Sequence, residues 1–214
     1  MDFYYSPLAA TCRSILMIGK ALGLEFNKIE INVAKEEHLK PEFAKLNPEH
    51  ALPTIVDNGF VLWESRAILT YLIEKYGKDD SLYPKDPQKR AIVNQRLFFD
   101  MGTLYKALGD YYTPQLQKKA PADPELFKKV EEALGFLNAF LEGQKYVAGD
   151  SFTVADTAIL ATISSFTIVK LDLSKYANIV RWYDNCSKVA PGWEENEKGL
   201  AALKGFIEIM QKKA

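Results

Sequence analysis

The chain has 214 residues, and 27 Lys and Arg against 28 Asp and Glu leave a formal net charge of −1. At roughly 150 residues per domain this is one large domain or two small ones, and 48% hydrophobic with 26% charged residues is an ordinary globular composition. The charge balance excludes the basic footprint of a nucleic-acid binder or an attraction to anionic membranes, and no apolar run nears the roughly 20 residues that span a bilayer.

The first residues, Met1-Asp2-Phe3-Tyr4-Tyr5, lack the cationic, apolar and small-residue regions of a secretory signal, so a cytoplasmic location is expected. Asp2 to Tyr5 is short, aromatic and strand-like, and Pro7 closes it. From Cys12 to Leu22 the residues Ile15, Ile18 and Leu22 recur at helical spacing, with Gly23 as a stop. Phe26 to Val33 reads as a second strand, with Ile29, Ile31 and Val33 on one face. Thr54-Ile55-Val56, Asp57-Asn58-Gly59 and Phe60-Val61-Leu62 predict a hairpin, because Asn-Gly tolerates positive φ at both turn positions. Arg66 to Tyr76 is again helical and ends at Gly77. This order, β-α-β and then β-β-α, is that of a thioredoxin-like domain, whose right-handed crossover makes the first two strands parallel neighbours.

The remainder reads as helix. The expected division is a thioredoxin-like domain over 1–79, a polar linker over 80–86 and an all-helical domain over 87–214, an α+β protein. Asp86-Pro87 and Asp123-Pro124 each pair an N-cap aspartate with proline at the first helical position. The helix after Pro87 keeps its apolar stripe to about Tyr112, where Pro114 bends or stops it. The next carries Leu126, Val130, Leu134, Leu137 and Leu141 and stops at Gly143. Thr153-Val154-Ala155-Asp156 is a capping box whose usual apolar staple to Phe152 falls on polar Thr157. Ser174 is the expected cap of a helix bearing Ile179, Trp182, Tyr183 and Cys186 and ended by Pro191. A last helix runs from about Glu195 to Lys212.

With two cysteines, Cys12 and Cys186, and two histidines, His38 and His50, no disulfide framework and no metal site is expected. In this fold the chemistry gathers where the first strand meets the first helix, here Ser6-Pro7-Leu8-Ala9-Ala10-Thr11-Cys12-Arg13. A disulfide oxidoreductase needs Cys-x-x-Cys, and Ala9 stands where the attacking cysteine would be, so Cys12 reads as a buried core residue. Pro53, just before the third strand, is either a cis-proline that turns the Leu52 backbone outward or an ordinary strand-initial proline. Glu64-Ser65 at a helix start is either plain capping or a site for a carboxylate beside an ammonium, the α-amino-acid end that γ-linked glutathione presents.

Asn47-Pro48-Glu49-His50-Ala51-Leu52-Pro53-Thr54, Asp57-Asn58-Gly59-Phe60, Trp63-Glu64-Ser65-Arg66-Ala67-Ile68 and Tyr71-Leu72 resemble the cytosolic glutathione transferases, in particular the insect delta class. Phe99-Asp100-Met101-Gly102-Thr103-Leu104-Tyr105, Phe140-Leu141-Glu142-Gly143-Gln144 and Pro191-Gly192-Trp193-Glu194-Glu195-Asn196 extend the similarity through the second half. The resemblance implies a homodimer that conjugates the glutathione thiolate to small apolar electrophiles, with peroxidase side activity and with glutathione as cosubstrate. By position it implies that Glu64 and Ser65 hold the γ-glutamyl end and that Leu52, before Pro53, pairs with the cysteinyl backbone. His38, His50 and Arg66 would line the glycyl and polar side. Leu8, Tyr105, Tyr112, Thr113 and Phe206, with Ser6, would form the electrophile pocket, and Phe98 to Met101 would lie near the dimer axis.

One position departs. Delta enzymes resembled here follow a Ser-x-Pro-Cys-Arg pattern whose serine hydroxyl hydrogen-bonds the glutathione sulfur. Aligned on Cys12-Arg13, that serine falls on Ala9 and the proline on Thr11. The helix dipole and the amides of Ala9 and Ala10 remain, and Ser6 and Thr11 are the candidate substitute donors. The alternative is a glutathione-binding, ligandin-like protein with weakened chemistry.

Overall fold

The computed structural model describes residues 1–212. Asn58 and Gly59 take φ of 53° and 86°, which closes the predicted hairpin between β3 (Thr54–Asp57) and β4 (Phe60–Trp63). With β1 (Asp2–Tyr5) and β2 (Asn27–Glu30) these strands make one sheet in the order β2-β1-β3-β4. β1 and β2 are parallel, the other pairs antiparallel, and Tyr4 lies opposite Thr54. Phe3 and Ile55 point from the sheet into the core formed with α1 (Ala10–Leu22) and α3 (Ser65–Tyr76). The short α2 (Pro41–Leu46) lies in the connection before β3.

β2 is shorter than predicted. It is an edge strand paired on one side only, and Asn32 breaks it by accepting the Lys35 N–H to start a 3₁₀ turn at Val33. Val33 is consequently exposed, not on a buried strand face.

Asp57, the last residue of β3, fastens the hairpin to α3. Its carboxylate accepts the hydroxyls of Tyr71 and Tyr76 and the Lys75 ammonium at 2.6–2.7 Å. Burial alone would raise the Asp57 pKa, but these three donors outweigh it and hold it at about 2.

The helical part begins as one rod. α4 (Pro87–Phe99), a π-helical stretch (Asp100–Tyr105) and α5 (Lys106–Lys118) follow without a break. Pro114 does not stop it; α5 continues to Lys118. Its missing N–H would have met the Asp110 carbonyl four residues earlier, on a turn whose Asp110 is exposed, so water can serve that carbonyl. Asp86 and Asp123 cap α4 and α6 (Pro124–Phe140) as expected. α7 (Val154–Thr167) is buried along nearly its whole length and carries the capping box, in which the Thr153 N–H and hydroxyl both donate to Asp156. Phe152 packs against Tyr146 instead of Thr157. α8 (Ala177–Val189) is preceded by Tyr176, not Ser174, whose N–H is tied back to Asp172. α9 (Trp193–Lys212) starts two residues early and lies across α1.

The depressed Asp57 carboxyl contributes stability above the unfolded-state pKa near 4, lost as pH falls towards 2. Asp57→Asn is expected to remove on the order of 1–2 kcal/mol at neutral pH after allowance for the solvent that reaches Lys75. Denaturant unfolding at pH 7 and pH 2.5 checks this: the gap between the two proteins should narrow markedly at the lower pH.

Candidate functional site

Three backbone features converge beside the sheet: the α1 N-terminus, the Leu52–Pro53 bond and the α3 N-terminus. At the first, the Ala9 N–H donates to the Ser6 carbonyl, and Cys12 and Arg13 donate to the Ala9 carbonyl. The free first-turn amides are therefore those of Ala10 and Thr11, not Ala9 and Ala10. Ala9 itself is the N-cap and supplies no side-chain hydrogen bond. Cys12 is fully buried, and burial pushes its thiol up to about 12, so it stays a neutral core residue. Its sulfur accepts the Ser6 N–H at 3.5 Å.

The Leu52–Pro53 peptide is cis, resolving the alternative the sequence left open. Among the described residues neither the N–H nor the carbonyl of Leu52 has a partner, so both are available to an extended ligand. The loop before it is held by Asn47, which the sequence reading did not single out. Asn47 is fully buried; its amide donates to the Ala51 carbonyl and the Thr54 hydroxyl, and its oxygen accepts the Glu49 N–H. His50 follows in the left-handed region at φ 54°. The Nδ1 atoms of His50 and of His38 are both buried without a partner.

At the third feature Glu64 takes φ 68°, an unfavourable conformation for a residue with a Cβ. It is exposed, and it orients Ser65, Arg66 and Ala67 so that their N–H groups open the helix. The Ser65 hydroxyl accepts Arg66 Nη1 at 2.6 Å, and Arg66 Nη2 forms a buried ion pair with Asp100 of the π-helical stretch. Arg66 Nε and Asp100 Oδ1 remain buried without partners. Asp100 thus places a charge of the helical part behind the serine of the sheet part. In the sequence it is an isolated acid inside the apolar stripe Leu97, Met101, Leu104, which was the available signal.

Tyr105 enters the same cleft, with Arg66 over its ring at 5.7 Å, and burial raises its hydroxyl pKa. Leu8 and Phe206 are half-buried. Tyr112 stacks on Phe166 and lines a crevice of about 390 Å³ with Leu116, Lys119, Val169, Ile207 and Met210. Thr113 is exposed and does not line that crevice. Among the described residues no group of His, Cys, Asp and Glu is arranged to hold a metal ion.

Arg13 is the least expected feature. It is wholly buried, and all five of its N–H groups are bound: Nε to Asn196, Nη1 to the carbonyls of Pro7 and Leu8, Nη2 to the Ala161 carbonyl and the Ser165 hydroxyl. No carboxylate of the described residues pairs with it. α9 comes this close because residue 199 is glycine; a Cβ there would lie 2.1 Å from Arg13 Cδ.

A family model for the glutathione S-transferase N-terminal domain matches residues 2–74, and one for the C-terminal domain matches residues 72–189. Among solved structures, a delta-class glutathione transferase of Nilaparvata lugens is 52% identical, with 98% of this chain and 99% of that chain covered at a TM-score of 0.94. A Bombyx mori glutathione transferase is 45% identical over 96% of each chain, with a TM-score of 0.92. An epsilon-class glutathione S-transferase of the housefly, Musca domestica, is 34% identical over 98% of this chain and 97% of that one, with a TM-score of 0.90.

Removing one partner of the Arg66–Asp100 pair leaves a buried charge alone. Asp100→Ala is expected to cost about 3–5 kcal/mol, and Arg66→Met with Asp100→Leu much less. Equilibrium denaturation of the three proteins checks this.

Proposed function

Because the chain belongs to the glutathione S-transferase family, whose members use glutathione as cosubstrate, we propose that it is a delta-class-like enzyme that adds the glutathione thiolate to small apolar electrophiles. The observation that carries this reading is the Glu64–Ser65 turn, backed from the helical part by Arg66 and Asp100. The γ-glutamyl carboxylate is received by the Ser65 hydroxyl and the α3 amides, where the helix dipole favours an anion. Glu64, exposed beside them, takes the ammonium. The unpaired Leu52 backbone takes the cysteinyl peptide, and His38 and His50 line the glycyl side.

So bound, glutathione directs its sulfur to the α1 N-terminus. The Ala10 and Thr11 amides and the helix dipole stabilise the thiolate, which attacks the electrophile as the leaving group departs. No protein nucleophile takes part. Catalysis is positioning plus stabilisation of charge on the ligand's own sulfur. The electrophile sits between the Ser6–Leu8 loop and Tyr105, with Tyr112 and Phe206 further along the helical wall. The same thiolate reduces organic hydroperoxides as a side activity. We place the division at residues 1–79 and 87–214 and the protein in the cytoplasm.

A second reading rests on Ala9 alone. Without a side-chain donor at the sulfur the protein would bind glutathione and sequester apolar ligands, with the chemistry mostly lost. A charge-assisted hydrogen bond is worth about 1.5–3 kcal/mol. Ala9→Ser is therefore expected to raise conjugation of a chlorodinitrobenzene-type substrate by roughly ten- to a hundredfold from a measurable starting rate. Steady-state kinetics decides: a near-zero rate in the unaltered chain with a large gain in the variant supports the binding protein. A rate that falls in Ser6→Ala or Thr11→Ala would identify the substitute donor.

The exposed Phe98, at 68%, with Met101 exposed three residues on, supports a homodimer centred on the α4 surface. Phe99 and Asp100, between them in sequence, point inward instead, onto Phe140 and Arg66. Phe98→Glu is expected to shift sedimentation velocity from dimer to monomer at micromolar concentration; an unchanged profile would place the interface elsewhere.

A further inference from the structure

Resting on that reading, a second question is what favours a thiolate at an α1 N-terminus that lacks the hydroxyl. The α1 turn contains one cation, and it is Arg13. Its Nη1 binds the Leu8 carbonyl at 2.8 Å and the Pro7 carbonyl at 3.1 Å, so the guanidinium lies one peptide unit from Ala9. Each of its five N–H groups meets a neutral acceptor. A buried guanidinium is ordinarily matched by a carboxylate, as Arg66 is matched by Asp100.

The other titratable groups around Arg13 do not neutralise it. Cys12, on its own helix, is an un-ionised thiol, and Tyr105, from the π-helical stretch, is an un-ionised phenol. Arg66 and Asp100 cancel each other. Glu195, next to Asn196 on α9, is spent on Lys28 and Lys198. The contacts on α7 are a carbonyl and a hydroxyl.

We infer that the uncompensated Arg13 guanidinium favours the thiolate form of glutathione held at the α1 N-terminus, as a positioning residue that acts through the Pro7–Leu8 loop and through its field. With water excluded from around it, that field is weakly screened. Burial draws its own pKa down to about 10, still fully charged at neutral pH.

Asn196→Asp tests this with little structural change. Asn196 Oδ1 accepts Arg13 Nε at 2.9 Å, and Nδ2 donates to the Ser164 hydroxyl at 3.1 Å. In the aspartate the first contact persists and the Ser164 hydroxyl turns from the Ala161 carbonyl, which keeps the Ser165 hydroxyl, to donate to the carboxylate. The clamp is kept and the charge is cancelled. The thiol of enzyme-bound glutathione, followed by ultraviolet thiolate absorbance against pH, is expected to titrate about one unit higher, about tenfold less thiolate at fixed pH. The glutathione KM should stay within about twofold. Ser165→Asp, which sets a carboxylate at the other end of the fork, is expected to move the titration the same way. Ser165→Ala, which removes a hydrogen bond and leaves the charge, should not move it. Bound thiolate in the unaltered chain with an unmoved titration in both aspartate variants overturns the inference, as does an equal rise in Ser165→Ala. If the unaltered chain forms no thiolate with bound glutathione, the transferase reading fails and the inference with it.

Discussion

The loop at the start of α1 is fastened to the helical part through one fully buried guanidinium. Arg13 leaves α1 near its start and ends among Pro7, Leu8, Ala161, Ser165 and Asn196, so one side chain touches the strand-to-helix loop, α7 and α9. The planar fork of five donors lets one residue tie three segments that differ in direction, which the three donors of a lysine ammonium could not. Other features follow from this placement. Gly199 is required where α9 crosses it, and the left-handed Gly192 lets the chain pass Met17 and Lys20 at the start of that crossing. The loop that carries position 9 is thereby held from the helical side, and its shape depends on both parts being folded together.

The chain handles its other buried charges by different rules, and the difference tracks function. Asp156 has no cation; it accepts the Val147 N–H, the Trp182 indole, and both the N–H and hydroxyl of Thr153. Burial raises its pKa, and the four donors work against that rise, so it is a structural node at the centre of the helical part. Asp57 is ringed by three donors at the edge of the sheet and serves the hairpin. Arg66 and Asp100, by contrast, are left incompletely satisfied, with Nε and Oδ1 unpaired, and Arg66 donates to the Ser65 hydroxyl at the start of α3. Unpartnered polar atoms among the residues of the proposed site are these two, the two histidine Nδ1 atoms and the Leu52 backbone; others, on Thr157, Thr162 and Asn185, lie within α7 and α8.

What could be read from the sequence was what local chemistry writes. The Asn58-Gly59 turn, the aspartate-proline starts at Asp86 and Asp123 and the Thr153–Asp156 box depend on neighbours within a few residues, and each formed as expected. Resemblance supplied Glu64, Ser65 and Pro53, and the structure gathers these beside one another around the α1 start. Long-range partners stayed hidden. Arg13 finds Asn196 across 183 residues and Ser165 across 152, and an arginine between Cys12 and Ile15 gives no sign of which carbonyls it will bind. Ser174 has the hydroxyl of a good cap, but the Asp172 carboxylate takes its N–H and the helix starts after Tyr176. Pro114 looked like a stop because the rule against mid-helix proline ignores whether the orphaned carbonyl can reach water.

The missing hydroxyl at position 9 changes meaning once the surroundings are known. In a thioredoxin-like frame an anion at the α1 start can be stabilised by a side-chain donor, by helix amides, or by a nearby fixed charge. A side-chain donor acts only when its hydrogen points at the sulfur, whereas a fixed charge and a helix dipole act over a broader geometry and need no rotor to be set. Substituting alanine for serine therefore removes the most directional of the three contributions and leaves the two that the buried architecture sustains. The sulfur would be held less exactingly and the electrophile allowed more freedom of approach. A lower rate with a broader range of acceptable electrophiles is the functional profile that this balance of forces favours.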